Sequence, residues 1–422
     1  MGVRHGERNR TRSDEKKSEV QLKGLEETLS RFKNVPRNLI LKADLLRQGI
    51  RWEEKDQVGV RHYHHHDKKS QAGHEHGAHH FQGSMFFDDG TTFFVSFNPQ
   101  SPYALRPAEE QGKFELFYSD GTESEKIGQM SMSTVYPWTS MKTSDGTPMG
   151  TVFSPSLGGR CGPIAIFLLR YCEYTKFGEE CRFCSWVQMG RSHEVRPNLT
   201  HLRETYEEIR WQQPEIGYLA MSGGSLINRT KEADAYIVYL EALRKLNLPL
   251  PPTCAAIQAM EEDNILRLRD AGFDYVAFNM EVWDERAWPA VVPGKARHVG
   301  RDHWMELLVK AAKIFGPGRV LNNIVAGVEV ASGLLTEEEG VHSTMEGFRW
   351  CLENGIYPKY AIWIKGGGAL YSGKQAPSLD YYLRLALQRE EIMKQSGLPR
   401  PAIDCFKCTT QSLEYDFENP KA

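Results

Sequence analysis

The stretch from Ile164 to Trp186 reads IAIFLLRYCEYTKFGEECRFCSW and joins a short apolar run to a loop that carries three cysteines. The six apolar residues 164–169 have the length of a buried strand and fall far short of the roughly 18 residues that a membrane span needs. Cys172, Cys181 and Cys184 follow, separated by eight and then two residues. The sequence therefore predicts a buried strand with three thiols in the loop after it.

The rest of the chain after residue 158 repeats one pattern, in which short apolar runs alternate with helical patterns of 12 to 20 residues. The six runs predicted as strands are Ile164–Tyr171, Ile216–Met221, Pro252–Ile257, Tyr275–Met280, Val320–Val328 and Tyr360–Ile364. Amphipathic segments such as Lys231–Leu246 and Glu261–Ala271 follow them, which is typical of βα units in a parallel sheet. Only 28 residues follow the last helical pattern, Leu379–Lys394, so two further units do not fit. We expect an α/β fold with a partial (β/α)6 barrel of the TIM type.

Composition divides the chain into five regions. The predicted regions are a charged N-terminal segment with a surface helix (1–61), a His-rich loop (62–83), a small β-rich accessory unit (84–157), the barrel (158–396) and a short C-terminal tail (397–422). The His-rich loop holds eight of the chain's fourteen histidines and could chelate a transition metal. Its irregular spacing favours a solvated loop instead.

Net charge, the N-terminal residues and the number of cysteines exclude several classes of protein. The chain has 52 Lys and Arg against 55 Asp and Glu, a formal charge of −3, which gives no electrostatic case for binding nucleic acid or an anionic membrane. The first twenty residues are basic with no apolar stretch behind them, so they do not form a secretory signal, and we expect a cytoplasmic protein. Eight cysteines in 422 residues are too few for a disulfide scaffold. Clustered cysteines in such a protein bind metal or do chemistry.

Three thiolates on one loop suit an iron–sulfur cluster better than a structural zinc ion. They can hold three irons of a cubane and leave the fourth iron open, whereas structural zinc takes four protein ligands. The nearest further candidate, His193, lies nine residues beyond Cys184.

These features together resemble the radical S-adenosylmethionine (SAM) superfamily, and within it the branch of biotin synthase and the hydrogenase maturases. The resemblance covers most of residues 158–396 and includes Phe183, the aromatic residue before the third cysteine. Most members have three residues between the first two cysteines, where this chain has eight. The resemblance implies a [4Fe–4S] cluster on Cys172, Cys181 and Cys184 whose open iron binds SAM.

The activity that the resemblance implies is reductive cleavage of SAM. The product is a 5′-deoxyadenosyl radical that abstracts hydrogen from a small-molecule substrate. The electron comes from an external donor of the flavodoxin or ferredoxin type.

The second predicted strand ends in a segment that is similar to the superfamily's SAM-binding Gly-Gly-Glu. It reads Ser222-Gly223-Gly224-Ser225, with Ser225 in the place of the glutamate. Two glycines allow a close approach of the backbone and can offer free N–H and C=O groups. The resemblance implies that this backbone contacts the amino group of SAM.

The fourth predicted strand carries the polar groups of the site. Alternation along a strand puts Asn279 and Glu281 on one face, toward the barrel mouth. In the relatives, carboxylate or amide groups here bind the ribose and the ammonium of SAM, and a downstream arginine binds its carboxylate. Arg301 matches that arginine, with Arg297 and Lys295 as competitors.

The last two strands supply an adenine pocket by the same resemblance. Ile324 and Glu329 match the fifth-strand pattern Gly-x-Ile-x-Gly-x-x-Glu, with Asn322 and Ala326 in place of its glycines. Ile324 would pack on adenine, and the backbone of the glycine run 366–368 could reach the adenine edge.

A Cys-x2-Cys pair, Cys405 and Cys408, stands in the C-terminal tail. It could hold a second metal or cluster, form a redox pair, bind a soft substrate atom or be two unrelated thiols. Because a six-strand barrel is open, we expect this tail to cross its mouth.

Two other functions fit parts of the same sequence. One is transfer of a 3-amino-3-carboxypropyl group from SAM to a soft acceptor held by Cys405 and Cys408. The other is a metal-binding or metal-delivery protein without SAM chemistry.

Overall fold

A computed structural model gives the structure of the protein. It describes residues 25–52, 80–96, 98–110, 112–119, 124–132, 136–154, 162–185, 196–365, 369–403, 410–414 and 416–417, with the backbone alone for residues 52 and 80–83. The His-rich tract, the glycine run 366–368, Cys405 and Cys408 lie outside the described residues.

Six strands of the N-terminal half form a mixed sheet with the spatial order β1-β4-β5-β6-β2-β3. Their bounds are β1 (Arg51–Trp52), β2 (His80–Phe87), β3 (Thr92–Ser96), β4 (Tyr103–Pro107), β5 (Lys113–Ser119) and β6 (Ser124–Met132). The central strand β5 alternates buried and half-buried residues, as expected for a strand with one face on a core. Helix α1 (Arg37–Gln48) packs on this sheet with a run of eight buried residues, 39–46.

Seven strands of the C-terminal half form a second sheet, in which neighbours follow chain order. Their bounds are β7 (Phe153–Ser154), β8 (Ile164–Leu169), β9 (Leu219–Gly223), β10 (Thr253–Ala256), β11 (Tyr275–Ala277), β12 (Val320–Ala326) and β13 (Tyr357–Ile362). Strands β8 to β13 are parallel, and β7 runs antiparallel on the edge beside β8. The sheet is open, with β13 and β7 at its two edges. This confirms the predicted partial barrel of six parallel strands.

Helices connect these strands as the sequence predicts. Their bounds are α2 (Leu199–Gln212), α3 (Arg229–Arg244), α4 (Glu262–Ala271), α5 (Ala287–Val291), α6 (Pro293–His298), α7 (Arg301–Phe315), α8 (Val328–Ala331), α9 (Glu337–Glu353) and α10 (Leu379–Ser396). Local caps set several ends: the Asn228 side chain accepts from the Lys231 N–H at the start of α3, and Thr336 and Glu339 form a capping box at α9. Among the described helices, none is long and apolar enough to cross a membrane.

The fourth strand is shorter than predicted, because side chains occupy the backbone groups that would have extended it. β11 ends at Ala277 rather than Met280. The Asn322 side chain accepts from the Met280 N–H at 2.8 Å, and the Trp288 indole donates to the Met280 carbonyl at 3.0 Å. Pairing resumes at Glu281, which forms an isolated parallel bridge with Ile324.

The amino ends of the strands are closed by an apolar cluster separate from the main core. It contains Cys254, Tyr275, Ala277, Leu321, Tyr357 and Ile403. Tyr275 and Tyr357 are the first residues of β11 and β13. The Ala402 N–H donates to the Tyr275 hydroxyl at 2.9 Å, so the start of the C-terminal tail is fixed at this end.

The end of the tail lies against the free edge of β13 and joins the two sheets. The Gln411 carbonyl accepts from the Ile362 N–H at 2.7 Å, and the Thr410 carbonyl accepts from the Phe94 N–H of β3 at 2.8 Å. A buried ion pair of 2.7 Å between Lys42 and Asp416 adds to this contact. The tail thus passes from the amino end of the sheet to the carboxyl end of its last strand, and its crossing of the barrel mouth stays a prediction.

Candidate functional site

The cysteine loop leaves the carboxyl end of β8 and folds into a compact turn. Cys172 caps a short 3-10 helix, Glu173–Phe177, which ends at Gly178 with a φ of +68°. The Cys184 N–H donates to the Cys181 carbonyl at 3.0 Å. Five of the eight residues between the first two cysteines therefore form the short helix. The three half-buried cysteines remain in one small loop.

The segment after β9 is held against this loop. A Cβ atom on Gly224 would lie 2.8 Å from the Cys172 Cα and closer still to the Tyr171 carbonyl oxygen, so only glycine fits there. The Gly224 N–H donates to the Leu169 carbonyl, and the Ser225 carbonyl accepts from the Glu173 N–H, both at 2.8 Å. The expectation of free backbone groups at Gly224 and Ser225 is therefore wrong for these two groups, because they bind the cysteine loop. The contribution of the half-buried Ser222, Gly223, Gly224 and Ser225 to SAM binding stays a prediction.

The helical segment between β11 and β12 holds the other side of the loop. The Gly294 N–H donates to the Glu179 carbonyl at 2.9 Å, and the Arg182 N–H donates to the Val291 carbonyl at the same distance. The Tyr174 ring packs on the bare Gly294 Cα and stacks on His298, with ring centroids 5.3 Å apart. Sequence reasoning missed these contacts because they join residues more than one hundred positions apart.

A buried lysine lies at the centre of the polar groups. Lys295 donates to the Asn279 carbonyl at 2.6 Å and to Glu281 Oε1 at 2.8 Å, and its ammonium is 4.7 Å from the centroid of the Trp304 ring. Glu281 adopts a φ of +73°, a strained conformation for a residue with a side chain. The Asn279 side-chain oxygen accepts from the Asn323 N–H at 3.2 Å. The structure therefore brings Asn279 and Glu281 together around Lys295.

Arg301 lies apart from this ion pair. Its guanidinium donates to the Trp283 carbonyl at 2.9 Å and lies over the Trp283 ring, 5.0 Å from the centroid. Arg297, the other competitor, pairs with Glu179 in the cysteine loop. Glu281 thus bonds Lys295 directly, and a joint role of Glu281 and Arg301 in binding SAM stays a prediction.

Ile324 and Glu329 occupy different environments. Ile324 is buried and bridges Glu281, so it lies beside the polar groups. Glu329 is buried in α8, where its carboxylate accepts from the Thr344 hydroxyl at 2.9 Å and from the backbone N–H groups of Trp283 and Asp284. Burial raises the pKa of Glu329 to about 7. The protein itself therefore satisfies Glu329, which fixes the segment that follows Glu281.

A second buried carboxyl group, which the sequence did not reveal, supports the loop from beneath. Glu232 accepts from the Leu226 N–H at 2.6 Å and from the side chain of Gln258. The Tyr174 hydroxyl, between the first two cysteines, donates to Gln258 Oε1 at 2.8 Å. Burial raises the pKa of Glu232 to about 7. This network ties the cysteine loop to the segments that follow β9 and β10.

Burial disfavours the thiolate form of two of the three cysteines in the loop. Burial raises the pKa of Cys181 well above its usual value, and the charge of Lys295 acts in the opposite direction. Burial also raises the pKa of Cys172. A bound metal deprotonates the thiols that ligate it, so iron binding here would release the protons that burial favours on Cys172 and Cys181.

The loop supplies three thiols, a donor set that suits iron–sulfur ligation. In the part of the chain that the structure describes, no group of three or more His, Cys, Asp or Glu side chains is arranged to hold a metal ion. Phe183 is half-buried between Cys181 and Cys184 and packs against the main core. The residues present fit a [4Fe–4S] cluster with one open iron.

Two curated proteins are similar to the chain in sequence. No family model matches the chain. Bacteriochlorophyllide c C-7(1)-hydroxylase of Chlorobaculum limnaeum is 23% identical over 304 residues, which cover 67% of this chain and 71% of that protein. Biotin synthase 2 of Paracoccus denitrificans is 24% identical over 172 residues, which cover 40% of this chain and 53% of that enzyme. These relatives support the radical SAM superfamily.

Several solved structures align with the chain at low similarity. A radical SAM methyltransferase from Sphaerobacter thermophilus aligns with a TM-score of 0.42 and 13% identity, over 92% of this chain and 96% of that one. Methylornithine synthase aligns with a TM-score of 0.37 and 16% identity, over 53% of this chain and 62% of that one. The predicted superfamily and enzyme class are confirmed, as are the two cofactors, a [4Fe–4S] cluster and SAM. The residues that hold these cofactors stay a prediction.

Proposed function

We propose that Cys172, Cys181 and Cys184 hold the cluster and that this radical SAM enzyme cleaves SAM reductively to start radical chemistry on a small-molecule substrate. The observation that carries the proposal is the cysteine loop itself. It lies at the carboxyl end of β8, bonded on one side to Ser225 and on the other to the Gly294 segment, with Lys295 and Glu281 beside it. Active sites of barrels built from parallel strands lie at this end.

A cluster held by Cys172, Cys181 and Cys184 would supply the single electron for reductive cleavage of a carbon–sulfur bond of SAM. The chain's own residues bind and orient. Glu281, which is paired with Lys295, offers its carboxylate to the SAM ammonium, and Arg301, which also donates to the Trp283 carbonyl, offers its positive charge to the SAM carboxylate. Ile324, which the resemblance assigns to the adenine pocket, bridges Glu281, and its side chain is buried in the main core.

The closed amino end of the sheet restricts where a substrate can enter. The apolar cluster of Tyr275, Tyr357 and Ile403 fills that end, so substrate and SAM would share the carboxyl end. Exclusion of water around a radical also prevents its loss to side reactions. One relative is named as a hydroxylase, and hydroxylation of a carbon requires loss of its hydrogen, the atom that the proposed radical removes.

Analysis of the nucleoside product tests this proposal. The protein is reconstituted anaerobically with iron and sulfide, reduced with dithionite and incubated with SAM, and the products are separated by chromatography. We expect 5′-deoxyadenosine. Methylthioadenosine would contradict the proposal and favour 3-amino-3-carboxypropyl transfer, and an intact cluster that yields neither product would favour a metal-binding protein without SAM chemistry.

A further inference from the structure

Glu281 is fixed at its backbone by one neighbour and at its side chain by another. Its N–H donates to the Asn323 carbonyl at 3.1 Å, and its carbonyl accepts from the Val325 N–H at 2.7 Å. These two bonds to β12 hold the residue at its φ of +73°. Its side chain, which is 13% exposed, accepts from Lys295 Nζ through Oε1 at 2.8 Å. β12 therefore holds the strained backbone, and Lys295 holds the carboxylate.

Lys295 is itself held in place on other sides. Its ammonium donates to the Asn279 carbonyl at 2.6 Å and lies 4.7 Å from the centroid of the Trp304 ring. Trp304 is fully buried, and its indole N–H donates to the Phe278 carbonyl at 3.2 Å, which fixes the ring. The side chain of Lys295 is 9% exposed. A lysine held in this way presents its charge at one point, which a solvated lysine does not.

The backbone next to Lys295 connects it to the cysteine loop. The preceding residue, Gly294, donates its N–H to the Glu179 carbonyl at 2.9 Å, and a Cβ atom there would collide with the Tyr174 ring. Burial raises the pKa of Cys181, and the charge of Lys295 opposes this rise, as an ammonium near the thiol does. Two consecutive residues of α6 therefore contact the cysteine loop and Glu281.

We infer that Lys295 is a positioning residue that holds the Glu281 carboxylate where it binds the ammonium of SAM. This inference rests on the proposed function, in which Glu281 has that partner. Lys295 occupies Oε1, and within the described ranges no hydrogen bond reaches Oε2, so Oε2 is the oxygen offered to SAM. The role differs from direct binding of the SAM carboxylate by Lys295, the alternative that the sequence leaves open.

Two effects of removing the lysine ammonium oppose each other. Lys295 and the SAM ammonium carry the same charge, so its removal takes away a repulsion. Its removal also leaves Glu281 as a carboxylate with little access to water and no cation beside it, which favours a protonated or a displaced side chain. A ligand that must first restore the charge and the geometry of its partner binds more weakly. Because Glu281 is mostly buried, we expect the second effect to exceed the first.

A double-mutant cycle on SAM binding tests the inference. The variants are Lys295→Met, which removes the charge and keeps a long side chain, Glu281→Gln, and the two substitutions combined. The matched control is Lys42→Met, which breaks another buried ion pair, that of Lys42 with Asp416. Each protein is reconstituted with iron and sulfide, and the SAM dissociation constant, the iron content and the electron paramagnetic resonance signal without SAM are measured.

We expect Lys295→Met and Glu281→Gln each to raise the SAM dissociation constant about tenfold, the size of a lost charge-assisted contact. The combined variant should stay within about twofold of Glu281→Gln, because residues that act through one contact are not additive. The iron content and the signal of the SAM-free cluster should not change in these three variants. Lys42→Met should bind SAM as wild type does.

Additive losses, with the combined variant about tenfold weaker than Glu281→Gln, would overturn the inference and assign Lys295 a direct contact with SAM. Equal or tighter binding by Lys295→Met would also overturn it, because the lysine would then only compete with SAM for the carboxylate. The same loss in Lys42→Met would overturn it as well, since that loss would follow from breaking any buried pair.

Failure of the proposed function gives a different result. A wild-type protein that holds its cluster but does not bind SAM would contradict the proposed function, and Glu281→Gln with wild-type affinity would remove Glu281 from SAM binding. If Lys295→Met does not fold, the combined variant and Glu281→Gln decide, because neither contains an unpaired buried carboxylate at position 281. Equal affinities of these two support the positioning role, and weaker binding by the combined variant would overturn it.

Discussion

The two ends of the parallel sheet are built differently although the same strands form both. At the amino ends, Tyr275, Tyr357 and Ile403 pack into an apolar cluster. At the carboxyl ends lie a strained Glu281, a buried Lys295 and a loop of half-buried thiols. The amino end stabilises the fold, and the carboxyl end carries groups whose placement costs stability. The contrast teaches that the same type of substitution should abolish activity at the carboxyl end and leave it unchanged at the amino end.

Cysteine substitutions give the largest expected contrast. Cys184→Ala should abolish SAM cleavage and lower the iron content, because a cubane without one of its protein ligands is lost or wrongly coordinated. Cys254→Ala, in the apolar cluster, should keep both the cluster and the turnover. Iron and sulfide analysis measures the cluster content of both variants, and a SAM-cleavage assay measures their turnover. Full iron content and full turnover in the triple variant Cys172→Ala, Cys181→Ala, Cys184→Ala would show that the loop has no part in the mechanism.

The glycine beside the loop gives the next contrast. Gly224→Ala places a Cβ against the backbone of Tyr171 and Cys172, which cannot move away as a flexible side chain could. We expect most of the cluster to be lost and the apo-protein to be destabilised by roughly 1–3 kcal/mol. Gly373→Ala is the control, because a Cβ there meets no atom within 4 Å. Iron content and thermal unfolding would show the difference, and equal values for both variants would contradict this account of the loop.

Substitutions of Arg301 and Arg297 distinguish an arginine that binds SAM from an exposed arginine in a surface ion pair. Arg301→Ala should raise the SAM dissociation constant at least about tenfold and leave the cluster spectrum unchanged, since a charge-assisted pair is worth roughly 1.5–3 kcal/mol. Arg297→Ala removes an exposed cation that already pairs with Glu179, so SAM affinity should stay within about twofold. Equilibrium binding of SAM to the reconstituted protein measures both. The reverse ranking would assign the SAM carboxylate to Arg297.

The last prediction concerns Glu329 and the pH dependence of stability. Its pKa is raised from 4.5 to about 7 by burial, so the folded protein holds a proton that the unfolded chain releases. The stability that this proton provides is fully present below pH 4.5 and is lost as the pH rises through 7, by up to roughly 3 kcal/mol. Glu329→Gln should flatten this dependence in denaturant unfolding from pH 4.5 to 8. An unchanged slope would show that Glu329 is ionised in the folded protein.

The barrel could be predicted from the sequence because each of its elements carries a local signal. β8 is a continuous apolar run, and α4 ends where Gly272 supplies the left-handed conformation that a helix end favours. The early end of β11 could not be predicted, since it depends on the Asn322 side chain from the next strand.

The candidate site could be predicted only where a motif is local. The cysteines and the glycines after β9 stand in short patterns, and the structure brings them into contact. Three further residues act through tertiary contacts and carry no local pattern: Lys295, Gly294 and Glu232. The sequence therefore indicated Lys295 only as an alternative to Arg301 for the SAM carboxylate and did not indicate the other two. A buried lysine bonded to a strained glutamate becomes visible only when β11, β12 and α6 are assembled.

The spectrum of the reduced cluster with and without SAM tests the central claim most directly. The claim is that the cysteine loop at the carboxyl end holds a [4Fe–4S] cluster with one iron open to SAM. Electron paramagnetic resonance of the dithionite-reduced wild-type protein should show a cluster signal that shifts on addition of SAM, with Cys254→Ala behaving identically and Cys184→Ala showing no SAM-dependent change. A complete cluster whose signal is indifferent to SAM, or a SAM-dependent signal that survives Cys184→Ala, would contradict the account.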